Sequence, residues 1–237
     1  MLGLLYLSLL LYLGGLYKKR LLYAGVLLEL LYLFLRGKAA GRLPITGPHD
    51  TLVLFAASVA LMVIIFEYYR VRESLPYILT AIMASIFTAS ALGFEPLNAP
   101  LPPVLRTFWF ELHVITAFIA YSLFGIGLVS GMVNLKGKNM TMEDIQYKSI
   151  LMGYSLFSFS MITGGIWAYY AWGSYWLWTP KELWTTILWL FYSLYLHLRL
   201  KGQKWQRFYV SMGMAGFGIV IFTYLGVSLL MKSSHSF

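Results

Sequence analysis

Apolar residues run through this chain in long unbroken stretches, parted by short polar segments and showing no two-residue alternation. Eight such stretches stand out, at about 2–17, 21–35, 50–67, 76–93, 108–135, 147–171, 180–200 and 207–231. The first two are leucine-rich and are separated by Lys18-Lys19-Arg20. Gly47-Pro48 precedes the third, and Pro100, Pro102 and Pro103 precede the fifth, so the breaks carry residues that end regular structure. Stretches of this length cross a hydrocarbon core of about 30 Å as helices. Lipid offers bare backbone N–H and C=O groups no partner, and a helix satisfies them within itself. Strands of a membrane barrel would alternate apolar and polar residues, which these do not. The pattern predicts an all-α, polytopic membrane helix bundle of about eight transmembrane helices.

Composition agrees: of 237 residues, 59% are hydrophobic and 11% charged, too apolar for a soluble domain. The first stretch lacks a basic start and an A-x-A-like cleavage site, so it is expected to be a retained span. The net charge of +9 is accounted for by the loops. With the N-terminus outside, Arg36, Lys38, Arg42, Arg106, Lys181 and Lys232 face outward, and the other twelve of the 18 Lys and Arg residues face inward. Basic residues accumulate on the inner side, so the expected topology is N-out/C-out, and nucleic acid is not implied. The chain has no cysteine, which excludes disulfides, thiolate metal sites, iron–sulfur clusters and a CxxCH haem-attachment site of its own.

Six of the eight tryptophans lie between Trp167 and Trp189, most of them in WGSYWLWTPKELW, Trp172–Trp184. In the assigned topology this segment is an outer loop. An aromatic belt at the membrane interface accounts for one or two such residues per helix end. The alternative is a surface for a flat apolar ligand such as a porphyrin, which grouped indoles suit. The residues alone leave both open. Thr179, Pro180 and Glu182 form a T-x-x-E capping box with proline at the first helical position, so the loop is expected to be fixed to the seventh span. Glu182 then reads as a cap before it reads as a catalyst.

Imidazole is a common axial ligand of haem iron. His113, at the start of the fifth span, and His235, in the tail after the eighth, share the loop's side of the membrane in this topology. His197 lies fifteen residues beyond Glu182 in the seventh span, roughly 23 Å deeper at 1.5 Å per residue. An ionisable residue within a span is a functional candidate by default. No other histidine shares its depth, so a second histidine ligand there must come from another chain. His49 reads as an outer-loop residue before the third span.

At these residues the sequence resembles a known family. GGIWAYYAWGSYWLWTPKELWTTILWLFYSLYLHLRL resembles the tryptophan-rich WWD motif of the haem-handling proteins of cytochrome c maturation, and among them the CcsA (ResC) family of the System II pathway. FTYLGVSLLMKSSHSF resembles that family's last span and terminal histidine, and LPPVLRTFWFELHVITAFIAYSLFGIGLVSG its earlier histidine-bearing helix. The resemblance is strong over about 101–237; earlier, only PHDTLVLFAAS is similar to the family's third span. It divides the chain into N-terminal membrane helices, 1–100, and a haem-handling core, 101–237, with an outer tryptophan-rich loop at 167–184.

The resemblance implies a function. With a ResB/CcsB-type partner, such proteins carry haem b across the bacterial cytoplasmic membrane or the thylakoid membrane and present it outside. There the vinyl groups form thioether bonds to the CxxCH cysteines of apocytochrome c. The chain would thus be a component of a cytochrome c haem lyase, or holocytochrome c synthase, with no catalytic residue assigned. Carried over by position, His113 and His235 are outer ligands of haem iron and His197 is the ligand within the membrane. Trp172, Gly173, Tyr175, Trp176, Trp178, Pro180, Lys181, Glu182 and Trp184 match the motif, and Trp172, Tyr175, Trp176, Trp178 and Trp184 are the haem-contacting candidates among them. One departure matters: the family usually has Asp in its W-D-P-K-E core, and here the residue is Thr179. Both types cap helices, but the carboxylate is gone. Two other functions would use the same scaffold: a haem b electron-transfer subunit that oxidises quinol, and an exporter or regulator that binds no haem.

Overall fold

The computed structural model of the chain describes residues 1–137 and 139–230; Lys138 and residues 231–237, with Lys232 and His235, lie outside the described residues. The described chain is helical. In order, the helices are α1 (Leu2–Gly15), α2 (Lys19–Ala40), α3 (Gly47–Leu61), α4 (Val63–Tyr68), α5 (Leu75–Leu92), α6 (Phe108–Gly137), α7 (Met140–Trp172), α8 (Pro180–Arg199), α9 (Gln206–Ile221) and α10 (Val227–Leu230). A break at Met62 separates α3 from α4 within one apolar span, Gly47–Tyr68. A π-helical turn, Phe222–Gly226, joins α9 to α10. Eight spans result. Five of them are long and apolar enough to cross a membrane: Gly47–Tyr68, Leu75–Leu92, Phe108–Gly137, Met140–Trp172 and Gln203–Leu230. α1 is a shorter apolar helix. The chain is an all-α integral membrane protein, as its pattern predicts.

Two compact units divide the chain, Met1–Leu101 and Pro102–Phe237. In the first, α1 and α2 form a hairpin whose close approach depends on Gly25. A Cβ there would lie 2.6 Å from the Tyr12 ring, and the Ser8 hydroxyl donates to the Gly25 carbonyl at 3.0 Å. Phe55 stacks on Phe87 at 4.3 Å and packs α3 on α5. α2 runs to Ala40, five residues past the end of its apolar stretch. Of the two basic residues in this extension, Arg36 and Lys38, the first is paired. Arg36 is buried, its Nε donates to Asp50 Oδ1 at 3.2 Å, and its other nitrogens reach Asn98 Oδ1 and the Leu97 carbonyl at 2.7 Å each. The helix itself ends at Gly41, whose left-handed conformation, φ 64°, closes it.

In the second unit, α6 and α7 form an antiparallel hairpin. Asn139 Oδ1 caps α7 by accepting from the amides of Thr141 at 3.0 Å and Met142 at 3.2 Å. α7 therefore starts at Met140, ahead of its apolar stretch. Its first turns are held by the buried Glu143, which accepts from the Tyr209 hydroxyl at 2.6 Å, from Arg199 Nη2 at 3.1 Å and from Gln206 Nε2. The Arg199 guanidinium lies over the rings of Tyr147 and Tyr209, at 5.3 and 5.0 Å. This knot joins the starts of α7 and α9 to the end of α8. Higher up, Phe124 stacks on Tyr192 at 4.0 Å and joins α6 to α8.

Candidate functional site

His113 lies on the second turn of α6 and faces α7. Its Nδ1 sits 2.8 Å from the Ser160 carbonyl and 3.0 Å from Ser160 Oγ, and that hydroxyl donates to the His113 carbonyl at 2.9 Å. A carbonyl only accepts, so Nδ1 of the neutral ring carries the proton and Nε2 keeps its lone pair. One turn beyond Ser160, Gly164 makes room for the ring. A Cβ at that position would meet His113 Nδ1 at 2.6 Å and Cε1 at 2.9 Å. A histidine held by Nδ1–H on a backbone carbonyl is the arrangement by which proteins orient an imidazole that ligates metal through its other nitrogen.

The loop begins where α7 ends. Gly173 takes a left-handed conformation, φ 74°, and its amide donates to the Tyr169 carbonyl at 2.8 Å. The chain then doubles back along α7, so that a Cβ on Gly165 would lie 3.5 Å from the Tyr175 carbonyl oxygen. Gly164 and Gly165 are adjacent, and they bring the His113 ring and the Tyr175 backbone to one level of α7. Tyr175 stacks on Tyr169 at 4.6 Å.

At the far end of the loop the capping box forms as the sequence predicts. The Glu182 amide donates to Thr179 Oγ1 at 3.3 Å. Glu182 Oε2 accepts from the amides of Thr179 at 2.8 Å and Leu177 at 3.0 Å. These bonds flank Trp178, a non-glycine residue with φ 56°. The left-handed region disfavours such a side chain, and the carboxylate grip on both sides holds it there. Glu182 is thus a structural clamp of the loop as well as a helix cap.

The aromatic residues divide into two sets. Trp167 is buried, donates from Nε1 to the Val104 carbonyl at 2.8 Å and meets Trp172 edge-on at 4.8 Å. Trp184 packs on Phe222 of the π-helical turn at 4.4 Å. Trp178 and Tyr175 project outward, 67% and 59% exposed, and Trp176 is half-buried between them. The loop therefore rests on a tryptophan foundation and presents further aromatic surface outward.

His197 is elsewhere. It sits near the other end of α8, exposed, with Nδ1 2.7 Å from the carbonyl of Ser193 on its own helix. It extends an exposed stripe formed by Leu183, Ile187, Leu190 and Leu194. His49 is not a loop residue but part of the first turn of α3, 1% exposed. The Tyr32 hydroxyl pairs with its Nε2 at 2.7 Å, and its Nδ1 faces the Ala91 and Phe94 carbonyls at 2.9 and 3.0 Å. Both nitrogens are engaged, so it is a structural histidine. Ser160 and Gly164 escaped the sequence reading. The available signal was a hydroxyl and a glycine one turn apart on one face of an apolar helix.

Comparison with known proteins bears on what such a site serves. The profile of the family described as cytochrome C assembly protein matches residues 47–235. The chain belongs to the cytochrome c assembly protein family. The match starts within the first hundred residues, at the glycine before PHDTLVLFAAS, and ends at His235. Among the family's members, the cytochrome c biogenesis protein CcsA of Prochlorococcus marinus (strain MIT 9312) is 28% identical, over 95% of this chain and 88% of its own length. CcsA of Chlamydomonas reinhardtii is 29% identical, over 89% of this chain and 65% of its own. Protein NrfI of Wolinella succinogenes is 33% identical over 89% of this chain, which spans only a quarter of NrfI. In fold, the chain is similar to the solved structure of cytochrome c heme lyase CcmF, with a TM-score of 0.70 over 98% of this chain and 46% of that one. Their sequences are 14% identical, so this likeness concerns the helix arrangement alone. The chain is a CcsA-family cytochrome c biogenesis protein of the membrane.

Proposed function

We propose that within cytochrome c maturation this chain carries haem b and presents it at the tryptophan loop for thioether attachment to apocytochrome c. Haem is the cargo here. His113 offers iron its Nε2, and His235 is the second ligand at that end. Trp172, Trp176, Trp178, Trp184 and Tyr175 supply the flat apolar surface for the ring. His197 holds haem earlier, at the other end of α8, and the second ligand there comes from a ResB/CcsB-type partner. The exposure of His197 at the end of an apolar stripe supports that reading, because an imidazole facing outward among leucines gains from a partner group. The topology is N-out/C-out, with the loop on the outer side of the bacterial cytoplasmic membrane or in the thylakoid lumen.

The protein's contribution to the chemistry is positional. The loop and its histidines hold the vinyl carbons where the CxxCH thiols arrive, and the incoming histidine of that motif displaces one ligand. Bis-histidine ligation keeps the iron from side reactions meanwhile. The observation that carries this reading is the His113–Ser160–Gly164 arrangement, which fixes a metal-competent tautomer at the level of the loop. The test is co-expression with a ResB/CcsB-type partner and a CxxCH reporter in a host without its own maturation system. Covalent haem on the reporter, lost in His113→Ala, is the expected result. Haem that stays on this chain and cycles with quinol would instead mark an electron-transfer subunit.

A further inference from the structure

Among the described residues three carboxylates besides the Glu182 cap are buried, and two of them have a guanidinium. Asp50 pairs with Arg36 at 3.2 Å, and Glu143 with Arg199 at 3.1 Å. The third, Glu29, has none. It is 0% exposed on α2, where α1 and α5 close over it. Its Oε1 takes the Thr88 hydroxyl at 2.9 Å, and its Oε2 pairs with the Tyr12 hydroxyl. Tyr12 and Thr88 are themselves 0% exposed. Among the described residues no Lys, Arg or His side chain makes an ion pair with Glu29.

An unpaired charge in a low-dielectric interior is costly, and a carboxylate escapes the cost by taking a proton. The surroundings suit the acid form. The single Thr88 hydroxyl hydrogen can serve Glu29 Oε1 or the Ala84 carbonyl, each 2.9 Å away, and when it serves Ala84 the Thr88 oxygen can accept from a protonated carboxyl; the Tyr12 oxygen can likewise accept from or donate to Oε2. The titratable groups facing the site are few. Tyr12 comes from α1, and α5 supplies only the hydroxyl of Thr88. α3 carries His49 and Asp50, engaged by Tyr32 and Arg36, which follow Glu29 by three and seven residues on the same face of α2. That face carries titratable groups from Glu29 to the Arg36–Asp50 pair.

We propose that Glu29 is a proton-binding site in the interior of the first unit, occupied as a carboxylic acid at neutral pH and held between Tyr12 and Thr88. The ligand is the proton, and the site is separate from the haem-handling residues of the second unit.

The test is infrared spectroscopy of the full chain in nanodiscs, in the carboxylic-acid C=O region, with wild type and Glu29→Gln compared at neutral pH. The expected result is one carboxylic-acid band in the wild type that Glu29→Gln loses. Identical C=O regions in the two proteins would overturn the proposal. If Glu29→Gln does not accumulate, Tyr12→Phe and Thr88→Val read the same group. Each removes a hydroxyl that contacts the Glu29 carboxyl and should shift the band, and a band that neither one moves would equally refute the assignment.

Discussion

His113 and His197 stand in the same unit, and the chain treats them in opposite ways. His113 is enclosed by α6 and α7, held by three hydrogen bonds to Ser160 and seated on Gly164. His197 has one bond, to its own helix, and looks outward. The difference lies in what each region offers by itself. The loop end supplies an oriented imidazole, a fixed loop and aromatic surface from a single chain. The other end of α8 supplies one imidazole on an open face, which under the proposed function a second chain completes.

The largest effect expected is from His113→Ala. It should lower haem retained at the loop end by more than about 100-fold, read as loss of the low-spin absorption of the purified chain, since the loss of a ligand should exceed the 10–100-fold typical of supporting residues. Equal loss from His113→Ala and His197→Ala without any partner present would erase the contrast. Next is Gly164→Ala, whose methyl group would stand 2.6 Å from His113 Nδ1. It should weaken haem binding by about 10–100-fold with helix content unchanged by circular dichroism. Ser160→Ala keeps the carbonyl acceptor and loses only the hydroxyl contacts, so its effect should fall at or below the lower end of that range, about tenfold.

Removing Glu182 separates loop order from ligation. Glu182→Ala frees the amides of Leu177 and Thr179 and should cost about 1–3 kcal/mol in thermal unfolding, with Trp178 fluorescence becoming more mobile. Thr179→Asp should change least, within about 0.5 kcal/mol, because both residues cap helices well. A rise in covalent attachment in Thr179→Asp would show that the carboxylate usual in the family contributes to the chemistry and not only to the cap.

Much of this fold is legible in the apolar pattern, because lipid leaves helices as the natural solution for long continuous stretches. The start of α8 is legible to the residue, since Thr179, Pro180 and Glu182 encode it locally. What escapes the pattern is set by contacts distant in sequence. The anchoring of Arg36 near the end of α2 depends on Asp50 and Asn98, and that of Glu143 at the start of α7 on Arg199 and Tyr209, while Gly41 and Asn139 mark the two boundaries locally. The candidate site divides in the same manner. Histidines and tryptophans announce themselves as residue types. The tautomer of His113 rests on a carbonyl 47 residues away, and the engagement of His49 rests on Tyr32 and on the end of α5. Neither can be read from a residue type.

The central claim is that Nε2 of His113 meets haem iron beside the tryptophan loop. The direct measurement is the ferrous and ferric absorption spectrum of the haem-loaded His113→Gly chain with and without added imidazole, with His197→Gly in parallel. The account predicts that His113→Gly loses its low-spin spectrum at the loop end and regains it when imidazole fills the gap left by the ring. A His113→Gly chain whose spectrum matches the wild type before imidazole is added would contradict it.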